Sequence, residues 1–125
     1  MTRKLPLGML IDLAHTQTDD AARRLGALQS AHLNASQKLE LLLQYRQDYH
    51  DQLDALMRGG LPSSQWRNYR NFLGTLDGAI EQQRAIAAQT ETRLDNGRTD
   101  WQHQKRRLSS FDTLAERVRM QELMA

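Results

Sequence analysis

The chain has 125 residues, which limits it to a single domain. Its composition, 26% charged and 6% aromatic, is too poor in large apolar residues for a thick globular core and is typical of long helices and coiled coils. A net charge of +2 argues against a nucleic-acid-binding surface, and the absence of cysteine excludes disulfides and thiolate metal sites.

The N-terminal stretch, residues 1–12, resembles a signal sequence only weakly. Pro6, Gly8 and Asp12 interrupt its apolar residues, and no small-residue cleavage site follows. No apolar run in the sequence approaches the roughly 20 residues that a membrane-spanning helix requires. We therefore interpret this stretch as a loose N-terminus that leads into a helix at about residue 9.

The first predicted helix covers about residues 9–58 and places apolar residues at alternating steps of three and four. This spacing defines the a and d positions of a coiled-coil heptad, whose positions are written a to g. The residues at a are Ile11, Thr18, Leu25, His32, Leu39, Arg46 and Leu53, and those at d are Ala14, Ala21, Leu28, Ala35, Leu42, Tyr49 and Leu56. We expect the polar residues at a to fix the register or to extend into solvent. Such a regular repeat argues against disorder, the alternative for so polar a chain.

Helix breakers cluster in one place, the sequence Gly-Gly-Leu-Pro-Ser-Ser at residues 59–64. A glycine pair can adopt the left-handed backbone that ends a helix, and Pro62 prevents its continuation. Ser63 or Ser64 can accept a hydrogen bond from the free amides of the next helix. These signals predict a turn between two long helices.

The second predicted helix covers about residues 65–122 and resumes the heptad. The residues at a are Trp66, Leu73, Ile80, Ala87, Leu94, Trp101, Leu108 and Ala115, and those at d are Tyr69, Leu76, Gln83, Thr90, Gly97, Gln104, Phe111 and Val118. Folding back at the turn places a opposite d, so that the numbers of facing residues add to 122. Large residues then face small ones at Ala21–Trp101 and Leu25–Gly97, which favours this register over one slipped by a heptad. We predict an all-α fold, a long two-stranded antiparallel coiled-coil hairpin.

The end of the hairpin away from the turn is expected to be mildly basic, with the second helix extending alone from Asp112 to Ala125. The basic residues at this end are Arg98, Lys105, Arg106, Arg107, Arg117 and Arg119, with Arg3 and Lys4 from the N-terminus. Two interpretations remain open, a solvated helix face or a surface for an acidic protein partner.

Near the turn, apolar residues occupy g positions, which coiled coils usually fill with charged residues. Tyr45 lies at g on the first helix, and Phe72, Ala79 and Ile86 lie at g on the second. Both g columns of an antiparallel pair lie on one side, so Tyr45 and Phe72 should form a partly exposed apolar stripe. This stripe is either a partner-binding surface or a thickening of the core where the hairpin closes.

The sequence contains no pattern typical of an enzyme. It has no glycine-rich phosphate loop, no catalytic triad and no paired carboxylates in a setting that could be buried. The four histidines are spaced too far apart for a metal site. We therefore expect neither catalysis nor a cofactor.

Five short segments carry a further signal, namely residues 19–23 (Asp-Asp-Ala-Ala-Arg), 42–49 (Leu-Leu-Gln-Tyr-Arg-Gln-Asp-Tyr), 66–69 (Trp-Arg-Asn-Tyr), 72–73 (Phe-Leu) and 75–82 (Thr-Leu-Asp-Gly-Ala-Ile-Glu-Gln). Together they resemble the flagellar export protein FliJ family of the bacterial type III export apparatus. The resemblance covers most of residues 10–118. A generic coiled coil would not reproduce the Tyr-x3-Tyr and Trp-x2-Tyr-x2-Phe spacings.

The resemblance implies an antiparallel coiled coil similar to the γ-subunit stalk of rotary ATP synthases. It also implies that the end with both termini enters the pore of the hexameric export ATPase FliI, while a patch near the turn binds the export gate protein FlhA. Members of this family are further expected to contact export chaperones. The implied location is cytoplasmic, peripheral to the inner membrane through these partners.

The resemblance also implies individual gate-binding residues. Carried over by position, they are Leu42, Tyr45, Tyr49, Phe72, Leu76 and Ala79. Two flanking residues depart from the family pattern and are weaker candidates, Lys38 where Gln is expected and Gln83 where His can occur. The implied residues coincide with the apolar stripe at the g positions.

Other functions remain open at this point. One is the equivalent stalk protein of a virulence type III secretion system, which has the same architecture. Another is a structural coiled coil that self-associates through the stripe. A nucleic-acid-binding arm would require tight, salt-dependent binding, and the small net charge disfavours it.

Overall fold

The computed structural model describes residues 4–125 and consists of two α-helices. Helix α1 covers Lys4–Arg58, and helix α2 covers Ser63–Met124. No strand is present in the described part of the chain. The helices are antiparallel and pack against each other, which confirms the predicted all-α hairpin.

Helix α1 begins at Lys4, earlier than the predicted start near residue 9. Pro6 lies in the first helical turn, where its fixed φ is compatible with a helix and its missing amide would have no partner in any case. Proline therefore does not interrupt this helix. Arg3, predicted to add positive charge at this end, lies outside the described residues.

The early start of α1 changes the pairing of α2. Ala115 and Val118 are half-buried, and they line a groove together with Leu7 and Ile11 of α1. The prediction that α2 extends alone from Asp112 was therefore wrong, because the extra turn of α1 provides a partner for this segment.

Helix α1 ends in the predicted glycine pair. The Gly59 amide donates to the Leu56 carbonyl at 3.1 Å, and the Gly60 amide donates to the Met57 carbonyl at 3.3 Å. Gly60 has a φ of +82°, in the left-handed region. Leu56, predicted at the seam, is 39% exposed because the hairpin opens here into the turn.

Helix α2 begins immediately after Pro62. The Pro62 carbonyl accepts the first helical bond, from the Trp66 amide at 3.1 Å. Ser63 and Ser64 are thus the first two residues inside the helix. The position before the helix, expected for a capping serine, is held by a proline.

The chain forms two compact units. The terminal unit comprises Met1–Gln29 and Arg93–Ala125, and the turn unit comprises Ser30–Thr92. Each unit contains a segment of α1 packed against a segment of α2. That the chain is one domain stays a prediction.

The contacts of the terminal unit follow the predicted register. Thr18 Oγ1 donates to the Gln104 carbonyl at 3.2 Å. A Cβ placed on Gly97 would lie 3.9 Å from Leu25 Cδ1. Both pairs have residue numbers that add to 122, and Ala21 at d is only 1% exposed.

The turn unit has the same register. His32 Nδ1 and Thr90 Oγ1 form a hydrogen bond of 3.0 Å across the seam, again between residues whose numbers add to 122. The buried apolar residues of this unit are Ala35, Leu53, Leu76 and Ile80. Every one of them lies at a predicted a or d position, so the heptad assignment is confirmed.

Candidate protein-binding site

An apolar flank lies beside the seam in the turn unit. Tyr45 and Phe72, both at g, are 50% and 43% exposed, and Ile86 at g is 46% exposed. A g position borders the seam without entering it, so part of each side chain remains in solvent. These exposures agree with the predicted stripe. They argue against the alternative that Tyr45 only thickens the core where the hairpin closes.

Three aromatic rings meet at this flank. The ring centroids of Tyr49 and Phe72 lie 4.3 Å apart with 31° between the planes, and those of Tyr49 and Tyr69 lie 6.2 Å apart. Such pairs contribute about 0.5–1.5 kcal/mol beyond the burial of area. Tyr49 and Tyr69 are half-buried at d, and Tyr49 contacts both of the other rings. We call Tyr45, Tyr49, Tyr69 and Phe72 the aromatic patch.

The remaining residues implied by the family resemblance lie closer to the seam. Leu76 is 7% exposed, while Leu42 and Ala79 are half-buried. Leu76 is therefore positioned to support the patch through packing and has little surface of its own to offer a partner.

The two weaker candidates differ from each other. Lys38 is exposed at g. Gln83 is half-buried, and its Nε2 donates to the Ala35 carbonyl at 3.0 Å across the helix pair. Because this bond uses the Gln83 amide within the hairpin, Lys38 is the more accessible of the two.

The structure adds two residues to the predicted set, Tyr69 and Leu41. Leu41 is 51% exposed and lies one helical turn before Tyr45, at a c position on the same side as g. The heptad could have identified Leu41, since positions c and g are adjacent on the helix surface and an apolar residue at c extends the stripe. The ring contact of Tyr69 depends on its rotamer, which the heptad does not specify.

This flank carries few charges. Along the g and c positions of both helices in the turn unit, the charged residues are Lys38 and Asp48. Asp48 Oδ1 accepts a hydrogen bond from Gln44 Nε2 at 3.1 Å. The rest of the border consists of amide, hydroxyl and small side chains, namely Asn34, Gln52, Gln65, Asn68, Thr75, Gln82 and Gln89 with Ala31 and Ala55.

The opposite flank of the same unit is charged. Arg46 Nε donates to Asp77 Oδ1 at 2.5 Å, and this bond raises the pKa of the Arg46 guanidinium. Arg84 pairs with Glu81 at 3.7 Å. The turn unit therefore has one apolar side and one charged side, and a partner with an apolar surface would bind the first in preference to the second.

A shallow depression lies beside the ring cluster, lined by Tyr49, Gln52, Asn68, Tyr69 and Phe72. Its rings can contact an apolar side chain, while its two amides can bond to the backbone around that side chain. This arrangement suits a protein surface that inserts one apolar residue.

The described residues place limits on other chemistry. Within residues 4–125, no three histidine or carboxylate side chains lie close enough together to hold a metal ion. Neither helix contains, over the part described, a segment long and apolar enough to cross a membrane.

The chain is similar to proteins of one family along nearly its whole length. A family model described as "Flagellar FliJ protein" matches residues 3–125. A flagellar FliJ protein of Salmonella typhi is 36% identical over 119 residues, which are 95% of this chain and 81% of that protein. A flagellar FliJ protein of Escherichia coli (strain K12) is 35% identical over the same shares of both chains.

Proposed function

The chain belongs to the flagellar FliJ protein family, and on this premise we propose that it is a non-enzymatic coupling component of the flagellar type III export apparatus. It links the hexameric export ATPase to the export gate and contacts export chaperones. It works in the cytoplasm and reaches the inner membrane through these partners. The observation that carries the proposal is the exposed aromatic patch on a flank with few charges.

The gate contact is assigned to the turn unit. Aromatic rings each offer about 150–250 Å² of contact area at a low cost in side-chain entropy. The contact of Tyr49 with Phe72 already orders the second ring, so binding need not immobilise it. Tyr45 and Phe72 are the exposed members and should supply most of the affinity.

The ATPase contact is assigned to the terminal unit, which contains both ends of the chain. A component with separate surfaces at its two units can hold both partners at once. Simultaneous binding is required for coupling, because the two partners can influence each other's affinity or position only while both are bound to the same chain.

The proposal is tested by pull-down with the cognate ATPase and with the cytoplasmic domain of the gate. Tyr45→Ala with Phe72→Ala should abolish gate capture and leave ATPase capture and helicity unchanged. Leu33→Ala is the matched control, because Leu33 is 58% exposed on the same helix but lies outside the flank. Loss of helicity in the double variant would assign these rings to the core, and unchanged gate capture would refute the site.

Two other functions predict different results. A structural coiled coil that self-associates through the stripe would sediment as a dimer and become monomeric in the double variant. A virulence-system stalk would have the same architecture, but the Salmonella typhi and Escherichia coli relatives are both described as flagellar proteins. We therefore favour the flagellar system.

A further inference from the structure

A second exposed apolar surface lies in the terminal unit. Leu10, Leu13 and Leu114 are 41%, 49% and 47% exposed. They lie outside the aromatic patch, and the ATPase contact proposed above was assigned to the terminal unit as a whole and not to these residues. We call them the leucine strip.

Contacts between the helices place the strip on one flank. Arg24 Nη2 donates to Asp100 Oδ2 at 3.0 Å, and Arg107 Nη1 donates to Gln17 Oε1 at 3.4 Å. Both contacts join g positions, and they lie one heptad apart on each helix. The next pair in this series is Leu10 and Leu114. Leu13 follows Leu10 by three residues and thus lies on the same side of α1.

The charges beside the strip are positive. Arg117 is exposed three residues after Leu114, and in the described part of the chain it has no carboxylate partner. Arg107 lies one heptad before Leu114, where its guanidinium contacts the Phe111 ring at 5.6 Å.

The acidic residues of this flank are already paired. Asp100 bonds to Arg24, and Asp20 bonds to Arg23 Nη1 at 3.2 Å. The strip is consequently an apolar surface bordered by two arginines that have no carboxylate partner among the residues the structure describes.

We propose that the leucine strip, with Arg107 and Arg117, is a docking surface for an acidic amphipathic helix of a partner protein. Leucines of the partner pack against Leu10, Leu13 and Leu114, and its carboxylates pair with the two guanidinium groups. This surface is separate from the aromatic patch and is inferred from the terminal unit alone.

Charge argues against the two other occupants. A second copy of this chain would bring like-charged arginines into the same interface, which is unfavourable. Nucleic acid would satisfy the arginines, but its phosphates would leave the three leucines without apolar contacts. An acidic amphipathic helix provides apolar contacts for the three leucines and carboxylates for the two arginines.

The test uses the whole chain and a fluorescent synthetic helix with leucines along one face and glutamates at its edges. Fluorescence anisotropy should show saturable binding that weakens as salt rises. Leu114→Asn should weaken it at least about ten-fold, and Arg117→Gln about three-fold to ten-fold. Leu33→Asn is the matched control and should leave binding unchanged, with helicity of all variants checked by circular dichroism.

Several outcomes overturn the proposal. One is absence of binding to the acidic peptide, and another is equal binding of a peptide with glutamine at each glutamate. Equal losses in Leu33→Asn and Leu114→Asn would show non-specific adhesion. A dimer in sedimentation that Leu114→Asn dissociates would assign the strip to self-association. None of these outcomes changes the expected gate capture through the aromatic patch.

Discussion

Leu28 and Gly97 face each other so closely that a Cβ on residue 97 would lie 2.4 Å from Leu28 Cδ1. Atoms of real side chains do not approach to this distance, so any larger residue at 97 must displace the Leu28 side chain. The seam of the terminal unit is thus packed closely around glycine at this d position.

This contact predicts different effects for the same substitution at two glycines. Gly26 has open space around its Cβ position, so Gly26→Ala should stabilise the chain by about 1 kcal/mol through helix propensity. Gly97→Ala should stabilise the chain less than Gly26→Ala or should destabilise it, because the cost of displacing the Leu28 side chain opposes the gain in helix propensity. Thermal unfolding followed by circular dichroism compares the two, and equal gains would contradict the close contact.

The turn supplies a second pair of glycines for comparison. Gly60 has a φ of +82°, so Gly60→Ala should destabilise the hairpin by about 1 kcal/mol or more. Gly59 lacks this conformation, and a Cβ there would make only ordinary contact with the Leu56 carbonyl at 3.7 Å. Gly59→Ala should therefore be close to neutral in urea denaturation. Equal losses at both positions would refute the left-handed turn.

Acid stability should depend on Asp100. The hydrogen bond from Arg24 lowers the pKa of the Asp100 carboxyl below its usual 3.8, with Gln104 contributing in the same direction and partial burial opposing both. Because the folded pKa is the lower one, the stabilisation is present above about pH 4 and is lost as the pH falls through the folded pKa.

Asp100→Asn should therefore destabilise the chain near neutral pH, and this loss should shrink as the pH falls through the folded pKa and the wild-type carboxyl becomes protonated. Urea denaturation across this pH range measures the difference. In an Arg24→Gln background, Asp100→Asn should have a much smaller pH-dependent effect. A loss that persists unchanged at low pH would show that the carboxylate charge is not responsible.

The predicted gate-binding residues should separate into two groups when stability is measured. Leu76 is 7% exposed, so Leu76→Ala should cost about 2–4 kcal/mol of unfolding free energy. Tyr45 is half exposed, and Tyr45→Ala should change stability by less than about 0.5 kcal/mol. Urea denaturation of both variants tests this division. A large stability loss in Tyr45→Ala would place its ring in the core.

The hairpin, its register and its turn could be predicted because they depend on spacing. The heptad fixes which residues face the partner helix, and the left-handed Gly60 with the following proline fixes where the chain reverses. The start of α1 could not be fixed in this way. Pro6 and Gly8 are residues that usually break a helix. A proline in the first helical turn is tolerated, however, and packing of this turn against the segment of α2 around Ala115 favours the longer helix.

The candidate site could be predicted only in part. The g column identified Tyr45 and Phe72, since apolar residues there are unusual in a coiled coil. It did not identify Leu41, which belongs to the adjacent c column, or the ring contact of Tyr69, which depends on side-chain rotamers. Leu10 and Leu114 of the leucine strip are likewise apolar residues at g positions. The contacts of Arg24 with Asp100 and of Arg107 with Gln17 show which g positions of the two helices are paired, and so place these leucines together.

The central claim is that the aromatic patch of the turn unit binds the export gate. Isothermal titration of the full chain with the purified cytoplasmic domain of the gate tests it most directly, with the Tyr45→Ala, Phe72→Ala double variant and the Leu33→Ala control. We predict saturable binding for the wild type and the control, and a loss of at least about 100-fold in affinity for a double variant of unchanged helicity. Wild-type affinity in that helical double variant would contradict the account.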